Sequence, residues 1–189
     1  MRQLDKKFFN KKTIEIAQNI LGKIISYDKM AGKIVEVEAY LSNDPASHSF
    51  FGKTDRNSPM FSEAGKSYVY FTYGMYYCFN ITTNKKGIGE AVLIRAVEPL
   101  KGINKMKENR VIKDEKNLTN GPAKFTQAFG FTKNHNNINL LSQKSPIKIF
   151  QKENEDNFRI IKTTRIGIKN GANLLYRFYI KDNKFISRK

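Results

Sequence analysis

Two carboxylates and a phenol stand at alternate positions in Ile34-Val-Glu-Val-Glu-Ala-Tyr-Leu41: Glu36, Glu38 and Tyr40. Successive side chains of a β-strand point to opposite faces, so these three share a face with Ile34, while Val35, Val37, Ala39 and Leu41 share the other. The apolar face belongs in a core. The acidic face admits two readings. One is a solvated surface, where charged residues commonly lie. The other is a carboxylate general base beside an aromatic platform. Arg95 interrupts the apolar run Ala91 to Val97. A charge in such a run must be paired or must line a site. Glu36, Glu38 and Glu98 are its candidate partners. His48 falls in a stretch dense in turn residues, as a surface residue or as part of a site.

A second concentration of chemistry is Tyr68-Val-Tyr-Phe-Thr-Tyr-Gly-Met-Tyr-Tyr-Cys-Phe-Asn80, which holds five of the nine tyrosines. Aromatic and β-branched residues suit a pleated, half-buried surface, so this stretch reads as two strands. Thr72-Tyr73-Gly74-Met75 is the turn, with Gly74 as the residue able to take a positive φ without strain. Hairpin tips are normally small and polar. A tip carrying Tyr73 and Met75 reads as a wedge, and stacked bases are a receiver for such side chains.

The charge agrees. There are 34 Lys and Arg against 17 Asp and Glu, a formal net charge of +17, which points to a polyanionic partner. Arg56, with Lys53 nearby, and Lys124 are candidate phosphate contacts. No apolar run approaches the ~20 residues of a membrane span, and the start of the chain lacks the apolar segment of a signal peptide. With Cys78 as the single cysteine, no internal disulfide can form, which suits the cytoplasm. No P-loop, dinucleotide fingerprint, Ser/His/Asp set or two-metal spacing is present, so neither metal nor cofactor is expected.

These residues need a frame. Thr13 to Gly22 reads as a helix with Thr13 as N-cap and Gly22 past its end. Ile24–Tyr27 and Lys33–Leu41 read as strands joined by a turn over 28–32. Residues 42–65 form a long loop, of the kind that is usually functional. A buried strand follows at Ala91–Val97, a basic helix at Leu100–Val111, and a helix from Thr119 to Gly130 with Pro122 in its first turn. Short strands at 147–150, 160–163 and 177–180 close the chain. No repeat or second domain interrupts residues 1–189.

Taken together, Ile34 to Leu41, Ala46-Ser-His-Ser49, Tyr68-Val-Tyr70, Tyr73-Gly-Met-Tyr76, Asn80-Ile81, Leu93 to Leu100, Asn120-Gly-Pro-Ala-Lys124, Arg165-Ile-Gly-Ile168 and Arg177-Phe-Tyr179 resemble, in order and spacing, the alkyladenine (3-methyladenine, methylpurine) DNA glycosylases. The resemblance spans nearly the whole chain. It implies one mixed α+β domain with a curved, mainly antiparallel sheet, flanking helices and a protruding hairpin that enters DNA. It implies a monofunctional enzyme that flips alkylated purines of the 3-methyladenine kind, with hypoxanthine as a further candidate, out of duplex DNA and leaves an abasic site. Glu38 matches the general base and Arg95 a residue that helps hold the attacking water. Tyr40, His48 and Tyr70 match the walls around the flipped base. Asn80 and Leu93 match residues that discriminate damaged purines. Tyr73, with Met75 beside it, matches the inserted residue. The implied partner is double-stranded DNA with damaged purines, with no membrane and no obligate protein partner, and a monomer is the default. The competing reading is a non-catalytic module for single-stranded DNA or RNA, with the tyrosines as a stacking platform. It leaves Glu38 unexplained, because a carboxylate in an anion-binding groove costs affinity.

Overall fold

The central element is an eleven-residue strand with partners on both sides. A computed structural model describes residues 1–154 and 156–189. Its elements are β1 (Arg2–Gln3), α1 (Lys6–Phe9), α2 (Thr13–Asn19), β2 (Ile24–Tyr27), β3 (Met30–Tyr40), β4 (Ser67–Thr72), β5 (Tyr76–Thr82), β6 (Ala91–Lys101), α3 (Ile103–Arg110), α4 (Pro122–Phe129), β7 (Ile147–Gln151), β8 (Ile160–Thr163) and β9 (Arg177–Ile180), with 3₁₀ turns at Ser58–Phe61 and Lys133–His135. The strands form one antiparallel sheet in the order β1-β7-β2-β3-β6-β5-β4, with β8 attached through β9 to β3. The architecture is a mixed α+β domain with a curled sheet, as the resemblance implied.

β3 pairs with β2 through its first residues, with β9 at Glu36–Glu38, and with β6 along most of its length. It is therefore paired along both edges. Val35, Val37 and Ala39 join the main apolar cluster, as alternation requires. Glu36 and Glu38 are 0% exposed, so the solvated-face reading fails. Ile34 also enters the apolar cluster. The cause is a bulge: Ile34 opposes Val97 and Glu36 opposes Ala96, which leaves Val35 extra on β3. A bulge breaks strict alternation locally.

Several boundaries move. The β2–β3 turn is two residues, because Tyr27 pairs with Met30. β6 continues to Lys101, which removes Leu100 from the helix expected there. α4 begins at Pro122 after Gly121 rather than at Thr119, whose hydroxyl donates instead to the Val97 carbonyl. Thr13 is the first helical residue, not the cap; its buried hydroxyl meets Glu90 Oε2 at 2.5 Å and Thr83 Oγ1 at 2.7 Å. α4 packs on β5 and β6, and α2 on β3. Phe79, Phe125, Phe129 and Phe131 form the aromatic centre of this layer.

Candidate active site

A bulge on β6 aims the site's cation. Ala96 opposes Glu36 and Ile94 opposes Val37, so Arg95 has no partner of its own on β3. Bulges re-aim side chains in this way beside functional sites. Arg95 reaches both acids of β3 at once: Nε donates to Glu36 Oε1 at 2.9 Å, and Nη1 lies 3.1 Å from Glu38 Oε1. Its two sequence-level readings, paired or lining a site, both hold in the same side chain. Burial pulls the guanidinium pKa down, but the Glu38 and Glu36 carboxylates outweigh it and leave the pKa raised.

Glu36 takes four structural donors and does not line the cavity into which Glu38 opens: Arg95, Arg177 Nη1 at 3.2 Å, and Ser187 through its N–H at 2.5 Å and hydroxyl at 2.8 Å. Glu38 is bound differently. Oε1 accepts the Ile166 N–H at 2.8 Å beside the Arg95 contact, and Oε2 accepts the Tyr40 hydroxyl at 2.8 Å. A carboxylate offers about four acceptor sites. Among the described residues three are occupied, and the fourth remains on Oε2.

Glu38 opens into a cavity of about 370 Å³, within the usual range for small-molecule sites of roughly 300–1,000 Å³. Tyr40, His48, Tyr70, Tyr73, Asn80, Leu93 and Arg95 line it with Glu38. The cavity thus gathers eight residues singled out from sequence. Met75, Arg56 and Lys124 lie outside its lining. Met75 is exposed on the hairpin tip. Arg56 donates to the Phe71 carbonyl at 3.1 Å and sits 5.5 Å from the Tyr70 ring centre, against the hairpin. Lys124 is held by Asn120 Oδ1 at 2.8 Å and Asn117 Oδ1 at 3.2 Å, while Pro122, two residues earlier, borders the cavity.

The aromatic wall is mutually braced. His48 Nδ1 and Tyr68 Oη are 2.9 Å apart, and the His48 ring meets Tyr70 edge-on at 4.5 Å. The loop that carries His48 is pinned by Asn57, whose Nδ2 donates to the His48 carbonyl at 2.7 Å. Asn80 Nδ2 donates to the Tyr68 carbonyl at 3.0 Å across the β4–β5 pair. Burial raises the Tyr40 pKa well above its ordinary value, and the Glu38 charge adds to the rise. Burial likewise raises Tyr70, and Tyr68 is pushed up to about 12. All three phenols stay protonated at neutral pH. Burial first, and then the Arg56 charge, lower the His48 pKa, so that ring is neutral there.

At the hairpin tip Tyr73 and Gly74 both take positive φ, +52° and +65°, and the Met75 N–H donates to the Thr72 carbonyl at 3.2 Å. Gly74 is not alone in this conformation, as sequence reading had it. Left-handed backbone at a large aromatic residue is uncommon. It leaves Tyr73 81% and Met75 64% exposed.

Sequence reasoning missed three contributors. Tyr68 was recognised as part of the aromatic stretch but not as a wall of the site. Cys78 lines the cavity beside Tyr70. Ile166 acts through its backbone N–H, for which no side-chain signal exists.

The family model for methylpurine-DNA glycosylase matches residues 7–184. A Francisella tularensis subsp. tularensis (strain FSC 198) protein named "Putative 3-methyladenine DNA glycosylase" is 50% identical over 183 residues, covering 94% of this chain and 95% of that one. Proteins of the same name from Carboxydothermus hydrogenoformans and Clostridium novyi (strain NT) are 45% and 43% identical, covering 98–99% and 100% of the chains respectively. With a match of this extent over a chain whose buried carboxylate, arginine and aromatic wall share one cavity, the protein belongs to the methylpurine-DNA glycosylase family.

Proposed function

We propose that the protein is a DNA glycosylase that flips alkylated purines such as 3-methyladenine out of duplex DNA and hydrolyses the N-glycosidic bond, leaving an abasic site. The observation that carries this reading is Glu38: a carboxylate 0% exposed, oriented by three donors, with one acceptor position left beside an aromatic cavity. A water at that position gives its proton to Glu38 as its oxygen attacks C1′. The glycosidic electron pair leaves with the purine. A purine alkylated at N3 or N7 is cationic and departs neutral, so the step needs no acid. One positioned base contributes roughly 10²–10⁴-fold.

The wall suits such a base. Tyr40 and Tyr70 offer π faces, and stacking is worth about 1–3 kcal/mol per base. A neutral His48 adds no like charge against a cationic purine. Asn80 and Leu93 also line the cavity, where they would select among purines. Tyr73, with Met75 beside it, would fill the gap left in the duplex, and Arg56 and Lys124 would hold phosphates. Among the described residues that line the cavity there is no lysine. An imine with the sugar, the route by which glycosylases cut the strand, has no nucleophile there, which supports a monofunctional enzyme.

The test is release of free base from a duplex carrying alkylated purines, wild type beside Glu38→Gln. Release by the wild type, none by the variant, and retained binding by both is the expected result. No release by either, with tight binding to undamaged single strands, would replace this reading with that of a non-catalytic binding module.

A further inference from the structure

Asp44 and Arg165 form an ion pair whose two side chains are both fully buried. Arg165 presents Nη1 and Nη2 to the two carboxylate oxygens, with Nη2 2.8 Å from Oδ1, and Nη1 also donates to the Ala39 carbonyl at 3.1 Å. Its guanidinium carbon lies 4.7 Å from the Tyr40 ring centre and 5.4 Å from that of Tyr176. Gly171 closes over the pair at φ +62°; a Cβ there would come within 3.1 Å of Asp44 Oδ1. Neither Asp44 nor Arg165 lines the cavity, but both of Arg165's neighbours in this arrangement do. Tyr40 donates to Glu38 Oε2, and Ile166, the next residue in the chain, donates its N–H to Glu38 Oε1.

Stability alone is a poor account of this pair. The desolvation cost of two buried charges often cancels their attraction, and apolar replacements are commonly as stable. A bidentate guanidinium supplies direction instead, because its donors lie in a fixed plane. Here that plane joins Asp44, in the loop after β3, to a segment 121 residues away in sequence, and reaches β3 itself at the Ala39 carbonyl.

We infer that Asp44 and Arg165 are positioning residues for base release: the pair fixes the Tyr40 ring and the Ile166 amide, and through them the orientation of Glu38. The inference rests on the reading of Glu38 as the base. Misplacement of a reacting group by about 1 Å can cost about 10²-fold in rate without loss of binding.

The test is Arg165→Lys, which keeps the charge but loses the planar fork, together with Tyr176→Leu, which removes one ring and leaves the cavity wall intact. Single-turnover base release, affinity for lesion duplex and the unfolding transition are measured for each. Arg165→Lys is expected to fold cooperatively, to bind lesion duplex within about threefold of wild type, and to release base about 10²-fold more slowly; Tyr176→Leu slows release several-fold. If Arg165→Lys fails to fold, Tyr176→Leu decides. Wild-type rates in the folded variants, or release and affinity lost in equal proportion, would overturn the inference. Wild type and Glu38→Gln run alongside, so failure of the proposed function shows as no release by the wild type, and failure of the positioning role as unimpaired release by the variants.

Discussion

Glu36 and Arg95 face each other between β3 and β6, with Nε donating to Oε1 at 2.9 Å, and this contact directs Nη1 of the same guanidinium at Glu38. The two acids of the strand therefore divide the work. Glu36, surrounded by two arginines and Ser187, has no free acceptor position facing a ligand. Glu38 does.

The division predicts that a substitution at Glu36 costs stability as well as base release. Glu36→Gln removes the charge that faces both Arg95 and Arg177. Breaking a buried pair from one side costs about 3–5 kcal/mol, so urea unfolding of Glu36→Gln should shift by that amount, and base release should fall because Arg95 loses its anchor. A loss under about 1 kcal/mol would show that the arginines find other partners.

The division was only partly legible in the sequence. Alternation placed Glu36, Glu38 and Tyr40 on one face, and in the structure Glu38 and Tyr40 bond to each other. It could not say that the face is buried, because burial depends on β9 and the C-terminal segment, more than 130 residues later, folding over it. The bulge at Arg95 leaves no composition signal either. Nothing in the sequence pairs Asp44 with Arg165; only the tertiary fold brings them together. Local signals did better for the hairpin and for the glycine that ends α4, whose patterns are short-range; Tyr40, His48 and Tyr70 are grouped as walls only by the family resemblance.

Tyr73 couples conformational strain to the proposed wedge. A left-handed residue other than glycine costs roughly 1–2 kcal/mol, and such strain persists where function requires it. Tyr73→Gly relieves the strain but adds unfolded-chain entropy of roughly 0.4–1 kcal/mol. Stability should hold or rise by up to about 1.6 kcal/mol, while affinity for lesion duplex and release rate fall. A destabilised variant with unchanged affinity would remove Tyr73 from DNA insertion.

Salt tests the phosphate contacts. Each phosphate neutralised adds about −0.9 to the slope of log K against log salt. Lys124→Gln should make that slope shallower by about 0.9 and weaken damaged and undamaged duplex alike. Arg56→Gln should do the same and in addition weaken lesion binding selectively, because Arg56 also lies against Tyr70 and donates to Phe71. Unchanged slopes would place both cations off the phosphate track.

Acid should destabilise the fold through its two histidines. Burial, and then the Arg56 charge, lower His48 below 6.5; burial likewise lowers His135. In the unfolded chain both protonate near 6.5, whereas in the folded protein they do so only at lower pH. Between those limits the unfolded chain binds more protons, so stability rises with pH and is lost as pH falls. The urea midpoint should therefore drop between about pH 7.5 and about pH 5.5, and fall no further on their account below the folded values. Carboxylates titrate mostly lower, so replacing both histidines with Asn should flatten the upper part of this interval. Protonation of His48 would also set a positive charge against a cationic purine, so release from alkylated duplex should decline as pH falls through the lowered His48 value. A midpoint unchanged between the two pH values, or a slope that survives removal of both rings, would show that neither histidine is held neutral by its surroundings.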